Sequence, residues 1–496
     1  MGIIIRQSMK GTLVTYIGAF IGFLTTFFIV TQYLDPEIFG LSQALRAAAL
    51  MLSALALLGT NVSMVRFFPH FKTEDGKNNG FFFYVLIIPF IGFVLATAAI
   101  LLFKEPILSY FSQNSALLVD YFYWLIPLTF FFLYWTVFET YSSVLYRIAV
   151  PSFIREVVFR VFLIAVYLLY AFHVTDLTGF VLSFTLVYAI AMGCTFFYVS
   201  RISPLSVSGN RSIVSRSLKK EFFTFSGVLI LGSIGATAIN SIDIFMISGE
   251  LGLADAGIYS IAFFMIAIVE IPSRSITSIS TPIASCAMKA GSMEEVGRLY
   301  KKVSLHQLLI GGIIFILIWI NVDNIYKIIP NGSVYADGKW VIFFLGIARL
   351  IQVTLGFGNN LISYSKYFRW TLYFTLFIAA LTVFTNSLLI PRFGIAGAAI
   401  AVLISCFISY GLQQWVVQIK LKLNPFSIGT LKTIGIVLLL LGINFLLPQL
   451  NNPFIDLIFR SVVIGILSIL LIYFSHLSEE VDWIFKNFLQ KIKKTK

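Results

Sequence analysis

LDPEIFGL, residues 34–41, interrupts two long apolar runs, residues 12–34 and 40–66, with a break only long enough for a turn. The segment therefore ends one helix and opens the next. Both flanking runs exceed the roughly 20 residues that cross about 30 Å of hydrocarbon at about 1.5 Å per residue. The same turn returns as LGLADAGIY, residues 251–259, with Gly257 matching Gly40 at an offset of about 217. Gly179 and Gly397, and Tyr146 and Tyr364, repeat at about 218. A near-constant offset over six runs predicts two six-helix lobes. Six is even, so both lobes enter the membrane the same way up, as parallel repeats about an axis along the membrane normal.

Outward from that turn, apolar runs recur to both ends of the chain. They fall near residues 12–34, 40–66, 80–103, 118–146, 153–172 and 176–200, then 222–248, 254–284, 303–321, 338–363, 370–390, 394–419, 427–447 and 454–475. The expected fold is an all-α integral membrane protein of about 14 transmembrane helices. Residues 1–200 form the N-lobe (helices 1–6), 201–221 a basic, Ser-rich cytoplasmic linker, 222–421 the C-lobe (helices 7–12), and 422–476 helices 13 and 14. In the last segment, 477–496, Trp483, Ile484, Phe485, Phe488, Leu489 and Ile492 alternate with lysines at helical spacing, which suits an amphipathic helix on the inner leaflet. Pro89, Pro127 and Pro272 lie inside runs, where they should kink helices. Composition agrees: 59% of residues are hydrophobic and 11% charged, against about 25% charged in a soluble domain.

The net charge of +13 would raise the question of nucleic acid in a soluble protein, but no basic stripe interleaved with aromatics occurs. Its distribution has a simpler account. With the N-terminus placed in the cytoplasm and the loops alternating, about 27 of the 35 Lys and Arg fall inside. Outside fall only Lys104, Lys327, Lys339 and Arg392. One miscounted helix would destroy that bias, so it supports an N-in, C-in topology in a cell membrane. The first run is too long for a signal-peptide core and reads as a retained helix. Cys194, Cys286 and Cys406 stand singly in or beside apolar runs and read as small packing residues.

No phosphate-binding loop, metalloprotease motif or nucleophile elbow is present, and no His has a partner at ligand spacing, so neither a catalytic residue nor a metal or cofactor is expected. The longest outer loop runs only from about Asn321 to Lys339, little room for an enzyme to hold an acceptor. What remains are ionisable residues inside the helices, each costing about 2.5–3.5 kcal/mol near the bilayer centre and so requiring a partner or a wet cavity. Arg460 lies near the outer end of helix 14 and is expected to snorkel. Glu270 and Arg274, one turn apart, suit either a structural ion pair or contact with cargo or ion. Asp243, following Asn240 and Ser241, and Glu139, among Thr and Tyr, suit either ion coupling or a local polar role. Arg46 and Arg349 have no acidic neighbour on their own helices. With Arg274 they would make a cavity that attracts phosphate and repels a cationic drug.

Four strings then carry a resemblance: the basic N-terminus before helix 1, LDPEIFGLSQALRA (34–47), GTNVSMVRFFP (59–69) and LLIPRFGIAGAAIA (388–401), in which Gly394 and Gly397 allow a tight turn and close helix approach. Over residues from about 6 to 420 the chain resembles the polysaccharide flippases of the multidrug/oligosaccharidyl-lipid/polysaccharide exporter superfamily. Many members have twelve helices; the lipid II flippases resemble this chain in having fourteen and use cavity arginines, so the resemblance also admits a lipid II flippase. The resemblance implies alternating access. Its implied cargo is a polyprenyl-diphosphate-linked oligosaccharide carried outward for cell-surface polysaccharide such as O-antigen or lipopolysaccharide. Expulsion of about two negative charges gains roughly 4–5 kcal/mol per 100 mV. A proton or sodium ion, taken by Asp243, Glu139 or Glu270, could reset the carrier. Two other classes share some of these features: a drug–cation antiporter, which should present carboxylates to its cargo, and a membrane-embedded glycan polymerase or transferase, which needs a paired acid and base.

Overall fold

The computed structural model describes residues 14–73, 78–204 and 241–477, with residues 232, 235, 237 and 239. Most of the linker, most of the run 222–248 and the basic tail lie outside the described residues. Those described form helices and connections, with no strand among them. Nine helices are long and apolar enough to cross a membrane, ten when a bent pair counts as one span, among the described residues. Run 222–248, lying mostly outside the described residues, is not counted, and three further features separate this number from the sequence count. Runs 370–390 and 394–419 join into one helical stretch, Arg369–Val416, turned at Gly394. The Ile428–Asn444 helix has only 17 residues. Run 153–172 is divided where Ile154–Val158 widens to π geometry before Phe159–Ala171.

The chain divides into two compact units, residues 1–260 and 261–496. In the first, residues 34–41 end one helix and open the next, and Asp35 makes no side-chain cap hydrogen bond. Leu34 and Asp35 are extended, and Pro36 opens Pro36–Ala56 at its first position. That helix is 72% buried, whereas Asn78–Leu102 is 22% buried, so one lies inside the bundle and the other faces lipid. Asp176 caps Leu177–Ile202 by accepting from the Gly179 N–H at 2.7 Å. Phe68, Phe71, Phe81, Phe82, Phe138 and Tyr141 form an aromatic core beneath Thr60–Phe71, with ring centroids 4.7–6.4 Å apart. Gly40 and Gly257, the pair related by the repeat offset, pack on each other. A Cβ at Gly40 would overlap the Leu253 carbonyl, and one at Gly257 would overlap that of Pro36.

In the second unit, Glu270–Lys289 follows the Leu253–Ala267 helix across a 48° bend, with Pro272 in its first turn. Pro127 likewise sits in a first turn, that of Leu125–Val144, where its missing N–H breaks no helical bond, while the Pro89 helix runs on unbroken. Gly394 adopts φ +60° and ψ −143°, a conformation open to glycine and strained for other residues, and Gly397 tucks under the Leu389 carbonyl. Ile428–Asn444 begins with a capping box between Ser427 and Thr430, and Pro453–Ser475 with Asn452 accepting from Phe454 and Ile455. These two helices pack on Met293–Ile320 through Ile316, Ile320, Ile436, Leu440 and Ile464. They are thus anchored on the unit's core.

Candidate cargo and ion sites

The bend between Leu253–Ala267 and Glu270–Lys289 places Glu270 at the start of a helix in the middle of a span. Broken helices of this kind are where transporters build ion and substrate sites, because the interruption frees backbone polar groups and directs a helix N-terminus inward. Glu270 meets two guanidiniums. Arg349 Nη1 lies 2.5 Å from its Oε1, and Arg274 Nη2 lies 3.5 Å from its Oε2. The Glu270–Arg274 pair is the i,i+4 pair the spacing suggests. The Arg349 contact corrects the picture of an arginine without an acidic partner: none exists on its own helix, Lys339–Leu355, but one arrives from another. Charge meets charge there without hydrogen-bond alignment, leaving Glu270 Oε1 and Arg349 Nε buried and without hydrogen-bond partners. Gln352 accepts from Arg349 Nη1 at 2.7 Å, and the Phe263 ring lies 5.1 Å from the guanidinium carbon. Arg349 is 9% exposed; Arg274's side chain is 70% exposed and free to swing.

In the first unit Arg46 sits half-buried, nearly three turns into Pro36–Ala56. Its charge reaches the hydroxyls of Tyr167 and Tyr188, and no carboxylate lies within ion-pair distance among the described residues. Tyr188 keeps a buried hydroxyl without a hydrogen-bond partner. Asp243 is buried and accepts from the Tyr259 hydroxyl at 3.1 Å. Glu139 pairs with Arg155 at 3.2 Å, and Arg155 also reaches Glu156 at 3.4 Å. Glu156 in turn holds Arg160 at 3.0 Å, and that pair seats where Gly18 and Gly22 leave no Cβ in the way. Glu156 was not among the candidate residues, yet Glu156–Arg160 stands at i,i+4 and the spacing alone would have found it.

Arg460 does not snorkel. It is 5% exposed and donates to Asp456 at 2.8 Å, to Asn444 at 2.7 Å and to the Pro448 carbonyl at 3.0 Å. A guanidinium bonded on every side is held more firmly by protein than by the interface.

Paired charges buried within spans, a helix broken at a carboxylate and an apolar exterior together define a polytopic membrane-protein fold. Solved structures share it. The lipid II flippase MurJ, in an inward closed conformation, aligns over 95% of this chain and 99% of its own at 12% identity, with a TM-score of 0.74. An inward-facing multidrug resistance MATE family transporter of the MOP superfamily aligns over 83% and 94% at 13% identity and 0.64. A MOP superfamily transporter from Pyrococcus furiosus, described as having a binding pocket of reverse polarity, aligns over 85% and 95% at 14% identity and 0.55. At these identities the likeness is one of fold. Residues 6–286 match the model of a family described as polysaccharide biosynthesis protein, and the chain belongs to that family. No curated protein matches the chain in sequence.

Proposed function

We propose that this membrane transporter flips a polyprenyl-diphosphate-linked oligosaccharide from the cytoplasmic to the outer leaflet by alternating access, for cell-surface polysaccharide synthesis. The observation that carries the reading is the Arg349–Glu270–Arg274 cluster: two guanidiniums against one carboxylate leave a net positive charge, carried on the exposed Arg274 beside the buried Arg349–Glu270 pair. A diphosphate accepts bidentate bonds from such forks, and a cationic drug is repelled. Arg46, with no carboxylate within ion-pair distance among the described residues, is a further candidate contact for an anion in the first unit. Glu270 is the first choice for a coupling proton or sodium ion, with Asp243 and Glu139 as alternatives. The arrangement comprises 14 helices, two parallel six-helix repeats and two more. The mutual packing of Gly40 and Gly257 supports the repeat, since a residue that touches its own repeat-mate lies close to the axis relating them.

The test is export of lipid-linked glycan in cells whose only copy carries Arg46→Ala, Arg46→Lys or Arg349→Lys, with membrane abundance measured. Losing one charge-assisted contact is worth about 1.5–3 kcal/mol, so export should fall about tenfold to a hundredfold in Arg46→Ala. The lysine variants should recover part of it, keeping the charge but losing the fork. Normal export from all three at normal abundance would remove the diphosphate reading.

A further inference from the structure

The connection after Met293–Ile320 and the one after Ile428–Asn444 enclose a polar cleft of about 840 Å³. Its floor is a closed network: Asp456 accepts from Asn324 at 2.6 Å, from the Leu450 N–H at 3.1 Å and from Arg460 at 2.8 Å. Its charges are matched, Arg460 by Asp456 and Lys339 by Asp323 at 2.7 Å. A diphosphate entering here would find Lys327 as the one lining cation without an ion pair among the described residues. What the cleft offers is chiefly neutral. Tyr326 lines it with a buried hydroxyl that has no hydrogen-bond partner. Burial and the nearby Asp323 and Asp337 carboxylates push that hydroxyl's pKa up, so it stays a donor at every working pH. Ser333 and Gln449 add a hydroxyl and an amide, and Trp319 forms part of the wall.

Amides and hydroxyls pair with the vicinal hydroxyls of a sugar, and an aromatic wall accepts its C–H face. Ligand sites of about 300–1,000 Å³ bury a molecule the size of a short oligosaccharide. We propose that this cleft binds the sugar portion of the glycan after translocation. The inference rests on the flippase reading, and on the basic-residue bias that puts this connection outside.

The test places Ser333→Cys, at an exposed rim position, in a chain whose three native cysteines are replaced by alanine. Intact cells are treated with a membrane-impermeant maleimide. One strain makes the lipid-linked glycan; the other is blocked at the first sugar transfer onto the lipid. Labelling should be several-fold slower in the glycan-making strain. Adding Tyr326→Phe and Gln449→Ala should bring the two rates together. Equal rates in both strains with Tyr326 and Gln449 intact, or protection that survives Tyr326→Phe and Gln449→Ala, would overturn the inference. So would labelling seen only after permeabilisation, which would put the cleft on the wrong face. Failure of the underlying reading looks different: glycan export would then continue in cells lacking the protein altogether.

Discussion

Glu270 is shared between a mostly buried arginine and an exposed one, and the two should behave unequally when removed. Arg349→Ala leaves a mostly buried carboxylate with only the longer, mobile Arg274 contact; breaking such a pair costs about 3–5 kcal/mol. The purified protein should therefore melt at a clearly lower temperature, and Arg274→Ala should change the melting point little. Replacing both partners, Arg349→Leu with Glu270→Leu, should restore the melting point but not export. A double variant that stays unstable would show that the site is held by something other than the pair. Arg46→Ala strands no carboxylate and should melt near the parent temperature. The sequence bears on these residues unevenly, for a physical reason. Glu270–Arg274, Glu156–Arg160 and Asp456–Arg460 all stand at i,i+4, so helix geometry alone brings them together, and the last two were there to be found. Glu270 and Arg349 are joined only by packing between helices, which no local spacing encodes.

At the scale of elements, glycine positions separate close approach from mere flexibility. A Cβ at Gly40 would overlap a backbone carbonyl, which cannot rotate away as a side chain can, so Gly40→Val should sharply reduce folded protein in the membrane. Gly394→Ala meets no neighbour but imposes a backbone conformation open to glycine, at about 1–3 kcal/mol. Gly465 has open space around it within Pro453–Ser475, and Gly465→Ala should leave the melting temperature unchanged or raise it. Melting curves of the two alanine variants in one detergent check the ordering; a Gly394→Ala protein as stable as Gly465→Ala would contradict the strain argument. The turns at residues 34–41 and 388–401 were legible because Pro and Gly act through backbone sterics, which are local. Helix lengths were less so. A π-widened turn inside 154–158 and a helix ending at 17 residues depend on what packs alongside, and hydropathy does not register either.

For the molecule as a whole, sidedness decides whether cleft, arginines and linker stand in a workable order. With the termini inside, about 27 of 35 basic residues fall on one side, and adding or removing a single helix would exchange every later loop between sides. Lys104 donates to the Tyr123 hydroxyl at 2.8 Å just beyond the end of Asn78–Leu102, at a connection the alternation assigns outside. Arg392 lies two residues before the Gly394 turn, inside the continuous helical stretch Arg369–Val416. Reporter fusions after Asn210 and after Lys486 should read cytoplasmic, and one after Gly332, in the connection that forms the sugar cleft, should read external. Two cytoplasmic readings with an external Gly332 fix an even number of spans between residues 210 and 486 and an odd number on each side of Gly332, as fourteen helices require. A cytoplasmic signal at Gly332 would turn the cleft inward, where unflipped cargo is made, and would reverse the order of binding from release to capture.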